Sequence, residues 1–402
     1  MKPNLTSHIF SRRFRWDLQS NPLNDLLQNK KRNGETIIDL TESNPTAVGM
    51  QYPEREVLMA LNQAAVMRYE PHPRGLMIAR HAVADYYRQR GDIISVDQIH
   101  LTTSTSEAYG YLFKLLTDPG DNVLAPQPSY PLFEFLAGLE NLELQNYRLE
   151  YNETSGWKID LESVARAIND RTRAIIVVQP NNPTGSSLKL DELTALVSLC
   201  REYRLALVFD EVFFDYRLSS FKGQDSEAVS GIAVSEVLSF TMSGISKILG
   251  LPQMKLGWIV VNGPGSVMEQ AQERLDLIAD TYLSVSTPIQ HAAPIWLKMR
   301  PLLQQQIQDR VSENLDWLRT ALKTQSNPKL LRLDGGWYAT LAIPDLNSEE
   351  GLVLELLETQ NVLIHPGFFF DFPNEGILVL SLLSEPAIFN EGVTRVLTFI
   401  RG

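Results

Sequence analysis

Between about 95 and 265 short apolar runs recur along the chain, at 99–103, 122–125, 142–149, 174–179, 205–210, 237–242 and 258–261. Several are unbroken, as in Ile175-Ile176-Val177-Val178, which suits strands buried on both faces of a mostly parallel sheet. Stretches with helical spacing separate them, at 107–116, 132–139, 161–168 and 190–203. This alternation of strand and helix predicts a doubly wound α/β unit.

The flanking segments have a different rhythm. Residues 1 to about 44 are polar and punctuated by Asn21-Pro22 and Asn44-Pro45; they predict an irregular arm with a short helix at 23–31 and a short strand at 36–40. Helices follow at 56–68 and 76–90, joined by the turn-rich Tyr69-Glu70-Pro71-His72-Pro73-Arg74-Gly75. Beyond 265 come long helical patterns at 266–280 and 289–324, the second interrupted by Pro294 and Pro301. Strands at 330–333, 337–343 and 378–383 and helices at 349–359 and 387–400 complete a smaller α+β unit. The expected division is an arm and part of the small domain at 1–44, a large α/β domain at 45–288 and a small α+β domain at 289–402.

Composition narrows the function classes. The 402 residues carry a formal charge of −12, which disfavours nucleic-acid binding and docking to anionic membranes. A single cysteine, Cys200, excludes an intramolecular disulfide and disfavours a cysteine-based metal site. Residues 1–16 hold no apolar leader-like run, and no apolar run reaches membrane-spanning length, so the cytoplasm is the expected compartment.

Candidate chemistry gathers where three successive strands end. Asn182, in Pro180-Asn181-Asn182-Pro183-Thr184-Gly185, follows the run at 174–179; Asp210 ends the run at 205–210; Lys247, in Ser243-Gly244-Ile245-Ser246-Lys247, follows the run at 237–242. Each alone fits an ordinary turn, a helix cap or a solvated lysine. Together, at the carboxyl ends of sheet strands, they mark a ligand site. A lysine withdrawn from water there becomes available as a neutral nucleophile, which Schiff-base chemistry requires. Ser104, Thr105 and Ser106 open the helix at 107–116, where free N–H groups and hydroxyls can cradle a phosphate or simply cap the helix. Tyr130, in Pro128-Ser129-Tyr130-Pro131, can offer its face to a flat heterocycle or pack in the core.

With Asp39-Leu40-Thr41-Glu42-Ser43-Asn44-Pro45, Asn-Pro-Thr-Gly, Asp-Glu-Val and Ser-x-x-Lys in this order, the chain resembles the class I/II, fold-type I aminotransferases dependent on pyridoxal 5'-phosphate. The resemblance runs over nearly the whole chain and implies that Lys247 forms the Schiff base and shuttles the substrate proton. It implies that Asp210 pairs with the ring nitrogen, Asn182 with the phenolic oxygen, and that Tyr130 stacks on the ring. Ser104, Thr105, Ser106 and Lys255 would hold the phosphate, with Ser246 and Ser243 as further candidates. Tyr69 would reach the phosphate of a partner subunit, implying a homodimer with shared active sites. Ser43, Asn182 and Arg15 would face the substrates, an amino donor and an oxo-acid acceptor.

Three positions depart from the family pattern. Phe213 stands where a tyrosine is usual, which implies a raised pKa for the lysine–cofactor imine. Lys255 replaces an arginine, keeping charge and losing the bidentate fork. Val379, in Leu378-Val379-Leu380-Ser381, stands where an arginine usually clamps the substrate carboxylate. Arg13, Arg15 and Arg74 are the candidate replacements, each of which is also compatible with solvated surface charge. The expected activity is amino transfer between an amino acid, or an amine, and an oxo acid. A carbon–sulfur β-lyase is the alternative on the same cofactor, and a non-enzymatic ligand-sensing module a third reading.

Overall fold

The computed structural model describes residues 11, 13, 21–218, 229–323, 325, 327–344 and 346–401. Its strands are β1 (Ile38–Asp39), β2 (Ile99–Thr102), β3 (Asn122–Gln127), β4 (Glu143–Asn152), β5 (Gly156–Ile159), β6 (Thr172–Val178), β7 (Ala206–Asp210), β8 (Ser239–Gly244), β9 (Gly257–Asn262), β10 (Lys329–Leu330), β11 (Tyr338–Ala342), β12 (Val362–Leu363), β13 (His365–Pro366) and β14 (Ile377–Ser381).

Eight of them form one sheet in the order β2-β9-β8-β7-β6-β3-β4-β5. The pairs β3–β4, β3–β6, β6–β7 and β7–β8 are parallel, and β9 runs antiparallel to both β2 and β8. The unbroken apolar runs explain this layout. Along β7 every residue is buried, and alternate residues feed two cores: Leu207 and Phe209 pack with Leu196, while Ala206 and Val208 pack with Leu112 and Leu275. A second sheet, β10-β11-β14-β13, is antiparallel and packs beside the long helix Arg300–Leu322 through Leu341, Leu380, Ile307, Val311 and Leu315. β1 pairs with β12 and ties the segment after the first helix, Pro22–Arg32, to this second core.

Where the boundaries differ from expectation, local bonding gives the reason. The helix expected at 56–68 stops at Glu54–Met59, and a 3-10 turn follows at Ala64–Met67. The first piece closes in a tightened turn, Leu61 N–H to the Leu58 carbonyl at 3.1 Å, and the Gln63 amide donates to the carbonyls of Ala60 and His291. The pattern at 289–324 is two helices, Thr287–Lys298 and Arg300–Leu322, with Pro301 in the first turn of the second, where a missing N–H costs nothing. Pro294 sits inside the first. β5, β12 and β13 were not expected; the last two are only two residues long, below what a period-two pattern can register. Among the described residues no helix is long and apolar enough to cross a membrane.

Candidate active site

Lys247 is delivered by the end of β8. The chain leaves the strand at Gly244, where a Cβ would fall 2.9 Å from the Leu256 carbonyl oxygen, and folds into the single turn Ile245–Ile248. Tyr216 holds that turn by donating its hydroxyl to the Lys247 carbonyl at 2.6 Å. The lysine Nζ lies 4.8 Å from the Trp337 ring centre and 5.3 Å from that of Phe213. Burial pushes its pKa down to about 8, against the charge of Asp210, which favours the ammonium. At pH 7 about a tenth of such amines are neutral, against roughly three in ten thousand for an ordinary lysine.

Asp210 ends β7, two strands of the sheet from β3, and is buried. Burial raises its pKa to about 6, opposed by the Val212 N–H (3.2 Å to Oδ1), the Tyr109 hydroxyl (3.1 Å to Oδ2) and Lys247. Glu211 is anchored elsewhere. It accepts from Gln179 Nε2 at 2.9 Å and Gly231 N at 2.7 Å, and pairs at 3.4 Å with Arg90, whose guanidinium lies over Phe214. Of the two adjacent carboxylates, Glu211 takes the larger set of bonds to the scaffold, whereas Asp210 accepts from Val212 and Tyr109.

The two asparagines after β6 divide in the same way. Asn181 donates to the Pro128 carbonyl (3.0 Å) and Thr184 Oγ1 (2.9 Å), and accepts from the Ser129 hydroxyl (3.2 Å). Asn182 is buried and its Oδ1 has no partner among the described residues, an arrangement that costs free energy unless a ligand completes it. The loop is bolted to the turn between β10 and β11 of the second sheet, because Gly185 accepts from the N–H groups of Asp334 (2.8 Å) and Gly335 (3.0 Å).

Ser104 caps the helix Thr105–Leu116 by accepting from Glu107 N at 3.1 Å. Glu107 in turn accepts from Thr103 N and the Ser284 hydroxyl, at 2.7 and 2.8 Å. Thr105 is half-buried and Ser106 exposed. Gly257 lets β9 approach this turn: a Cβ there would lie 3.0 Å from the Ser104 carbonyl carbon. The same helix supplies Tyr109 to Asp210, so the phosphate-type turn and the buried acid share one rigid element.

Other expected residues fall at varied distances from this centre. Tyr130 is 46% exposed in a loop whose Ser129 N–H donates to the Phe370 carbonyl at 3.0 Å. Ser43 and Asn182 both act on the Tyr338 hydroxyl. Ser246 is half-buried, whereas Ser243 is fully buried and donates to the Glu211 carbonyl at 3.3 Å. Lys255 is exposed, with φ at 50°. Tyr69 is 76% exposed. Phe213 is buried edge-on to Trp337, 5.2 Å between centres. Val379 is fully buried, opposite Thr340 and His365. Arg74 is held bidentately by Asp276, both contacts at 2.7 Å, and this removes it as a free carboxylate clamp. Arg13 is exposed, and Arg15 lies outside the described residues.

Three residues that the sequence pattern did not single out belong here: Tyr109 on Asp210, and Trp337 and Tyr338 beside Lys247 and Asn182. Pyridoxal phosphate fits this set. The buried Asn182 amide, the buried acid, the amine with a lowered pKa and the helix start kept open by Gly257 suit its phenolic oxygen, ring nitrogen, aldehyde and phosphate in turn.

Residues 35–385 match the family model "Aminotransferase class I and II". Alanine aminotransferase of Mycobacterium tuberculosis is 28% identical over 352 residues, covering 85% of this chain and 80% of that protein. Glutamate-pyruvate aminotransferase AlaA of Haemophilus influenzae is 25% identical over 374 residues, 91% of each. The solved alanine aminotransferase from Pyrococcus furiosus superposes with a TM-score of 0.83 at 25% identity, over 95% of this chain and 97% of that one. Aspartate aminotransferase from Thermotoga maritima gives 0.82 at 22% identity, over 98% and 100%, a likeness of fold alone. None of these four is a lyase by name. The chain belongs to the class I and II aminotransferases, pyridoxal-phosphate-dependent enzymes that move an amino group between an amino donor and an oxo acid.

Proposed function

We propose that this transaminase exchanges amino groups between small 2-amino and 2-oxo acids, with Lys247, Asp210 and Asn182 as its working centre. The observation that carries the reading is the meeting, at the ends of β6, β7 and β8, of a buried acid with a raised pKa, an amine with a lowered one and an unpartnered amide oxygen. When bound, the cofactor supplies an electron sink for the charge left at the donor's Cα. Lys247 would hold the carbonyl carbon and would then move a proton at Cα, for which a pKa near 8 is well matched. Asp210 would pair with the ring nitrogen and favour its protonated form; Asn182 would hold the phenolic oxygen. Ser104, Thr105, Ser106 and Lys255 would hold the phosphate, with Ser246 as a further ligand, and Tyr130 would stack on the ring.

The names of the relatives make glutamate and pyruvate the first pair to assay. The test is to follow the absorbance of the bound cofactor as each amino acid or amine is added. Conversion to the aminated form, reversed by pyruvate, is the expected result. Pyruvate and ammonia released from cysteine conjugates, with no aminated cofactor, would overturn it. A Lys247→Ala protein should hold the cofactor without converting it.

A homodimer completes the reading. Leu58, Met59, Met67 and Tyr69 are exposed, as are Leu277, Tyr282 and Leu283, and a cleft lined by Tyr69, Tyr111 and Leu283 adjoins them. Apolar exposure on this scale favours burial against a second copy, with Tyr69 reaching the partner's phosphate site. Sedimentation tests the dimer: a monomer at micromolar concentration would sink it. A cytoplasmic location belongs to the same proposal, and activity recovered in the membrane fraction would contradict it.

A further inference from the structure

The working centre has one more wall. After β10 the chain makes a double-glycine turn, Gly335-Gly336, before β11 opens at Tyr338. The turn must be glycine at Gly335: a Cβ would fall 2.7 Å from the Tyr216 carbonyl oxygen and 2.8 Å from the Pro180 ring. Gly336 donates to that Tyr216 carbonyl at 2.9 Å. The turn is thereby fastened to the two loops that carry Asn182 and hold Lys247. It delivers Trp337 against Lys247 and Tyr338 against Asn182 and Ser43. The Tyr338 ring stands edge-on to Phe213, 6.4 Å between centres, and 6.4 Å from Phe370.

Among the described residues the hydrogen-bonding groups of this wall are neutral. Burial pushes the Tyr338 phenol up to about 12, against the side chains of Ser43 and Asn182, so the hydroxyl keeps its proton and can donate. The charged side chain acting on it is a carboxylate, Glu42. In the second sheet Tyr338 pairs with Ser381, and Val379 two residues away is apolar and fully buried. Arg74 is committed to Asp276, and Arg395 to Glu391 and the Gln360 carbonyl.

We propose that Tyr338 is a specificity residue that donates its hydroxyl to an oxygen on the donor's α-substituent, with Ser43 and Asn182 completing a neutral hydrogen-bonding cleft. This rests on the transaminase reading. A cleft of neutral donors reads an oxygen without requiring charge. The enzyme therefore accepts a donor carboxylate and its uncharged amide with similar efficiency, whereas an ion pair would separate them widely.

The experiment compares L-alanine, L-alaninamide and isopropylamine as donors to the holoenzyme. In the native protein, kcat/KM for alanine and alaninamide should agree within roughly tenfold, the difference between a hydrogen bond to a charged and to a neutral partner. Tyr338→Phe keeps the ring and should raise KM for both by about tenfold with kcat unchanged, and leave isopropylamine, which has no oxygen, unaffected. The Kd of 2-methylalanine, which lacks the Cα proton and so binds without transamination, should rise in parallel. If Tyr338→Phe does not fold, Ser43→Ala provides the same comparison with a smaller rise. An equal loss for all three donors, or no change in any, overturns the role of Tyr338. So does a native preference for alanine over alaninamide of more than about a thousandfold, which marks a cation at this position. If no donor converts the native cofactor, the transaminase reading itself falls; conversion with an unchanged variant profile removes Tyr338 alone.

Discussion

Replacing Tyr109 by phenylalanine isolates the control of Asp210. The tyrosine is buried, its hydroxyl donates to Oδ2 at 3.1 Å, and the phenylalanine ring fills the same space against Phe133 and Phe113. Burial sets the Asp210 pKa near 6, and the Tyr109 bond is one of three influences holding it that low. A hydrogen bond to a buried carboxylate contributes about 1.5 kcal/mol, which is about one pKa unit. The variant should titrate near 7. A pyridinium nitrogen binds best opposite an ionised acid, so at pH 6 the ionised fraction falls from about one half to about one tenth. Cofactor affinity should then weaken about fivefold at pH 6, about twofold at pH 7 and hardly at pH 9. The assay is the pyridoxal phosphate Kd by fluorescence across pH 5 to 9 for both proteins. A variant curve with the native midpoint, displaced equally at every pH, would refute the reasoning, because it would mean that Tyr109 acts by packing and not on the charge of Asp210.

The neighbouring asparagines should separate stability from binding. Asn181→Ala loses its bonds to Pro128, Thr184 and Ser129 and should lower stability by about 2 kcal/mol, read in urea. Asn182→Ala removes an unpartnered oxygen and one contact with the Tyr338 hydroxyl and should lower urea stability by about 1 kcal/mol or less while weakening cofactor binding; matching urea midpoints for the two variants would contradict this. Gly257→Ala places a Cβ 3.0 Å from the Ser104 carbonyl carbon, so it should weaken inorganic phosphate and cofactor binding more than it lowers Tm. Equal phosphate affinity would show that the turn gives way freely. Phe213→Tyr puts a hydroxyl on the ring nearest Lys247 after Trp337 and should lower the pKa of the bound-cofactor absorbance change; an unchanged titration would show that residue 213 does not reach the phenolic oxygen.

How legible each part was in the sequence follows from how far its cause lies along the chain. β6, β7 and β8 announce themselves because strands buried on both faces are nearly uninterrupted apolar runs, and polar residues at their ends then stand out. Tyr109 was silent for the opposite reason. It is an aromatic within an apolar helix, and only the packing of that helix on β7 makes it a donor to Asp210. Arg74 read as a free cation because its partner, Asp276, is 202 residues away. Asn181 and Asn182 are the same residue type at adjacent positions, and no local pattern says which one will be satisfied by the Pro128 carbonyl and which left open. Tyr338 is the strongest case. Its place depends on a glycine turn fastened to loops at Gly185 and Tyr216, so its chemistry exists only once three distant segments meet. Specificity is therefore harder to read than cofactor chemistry in this chain. The proposed cofactor groups sit at strand ends, where the sheet itself dictates position. The proposed substrate wall is assembled from turns whose geometry is set by hydrogen bonds between segments remote in sequence.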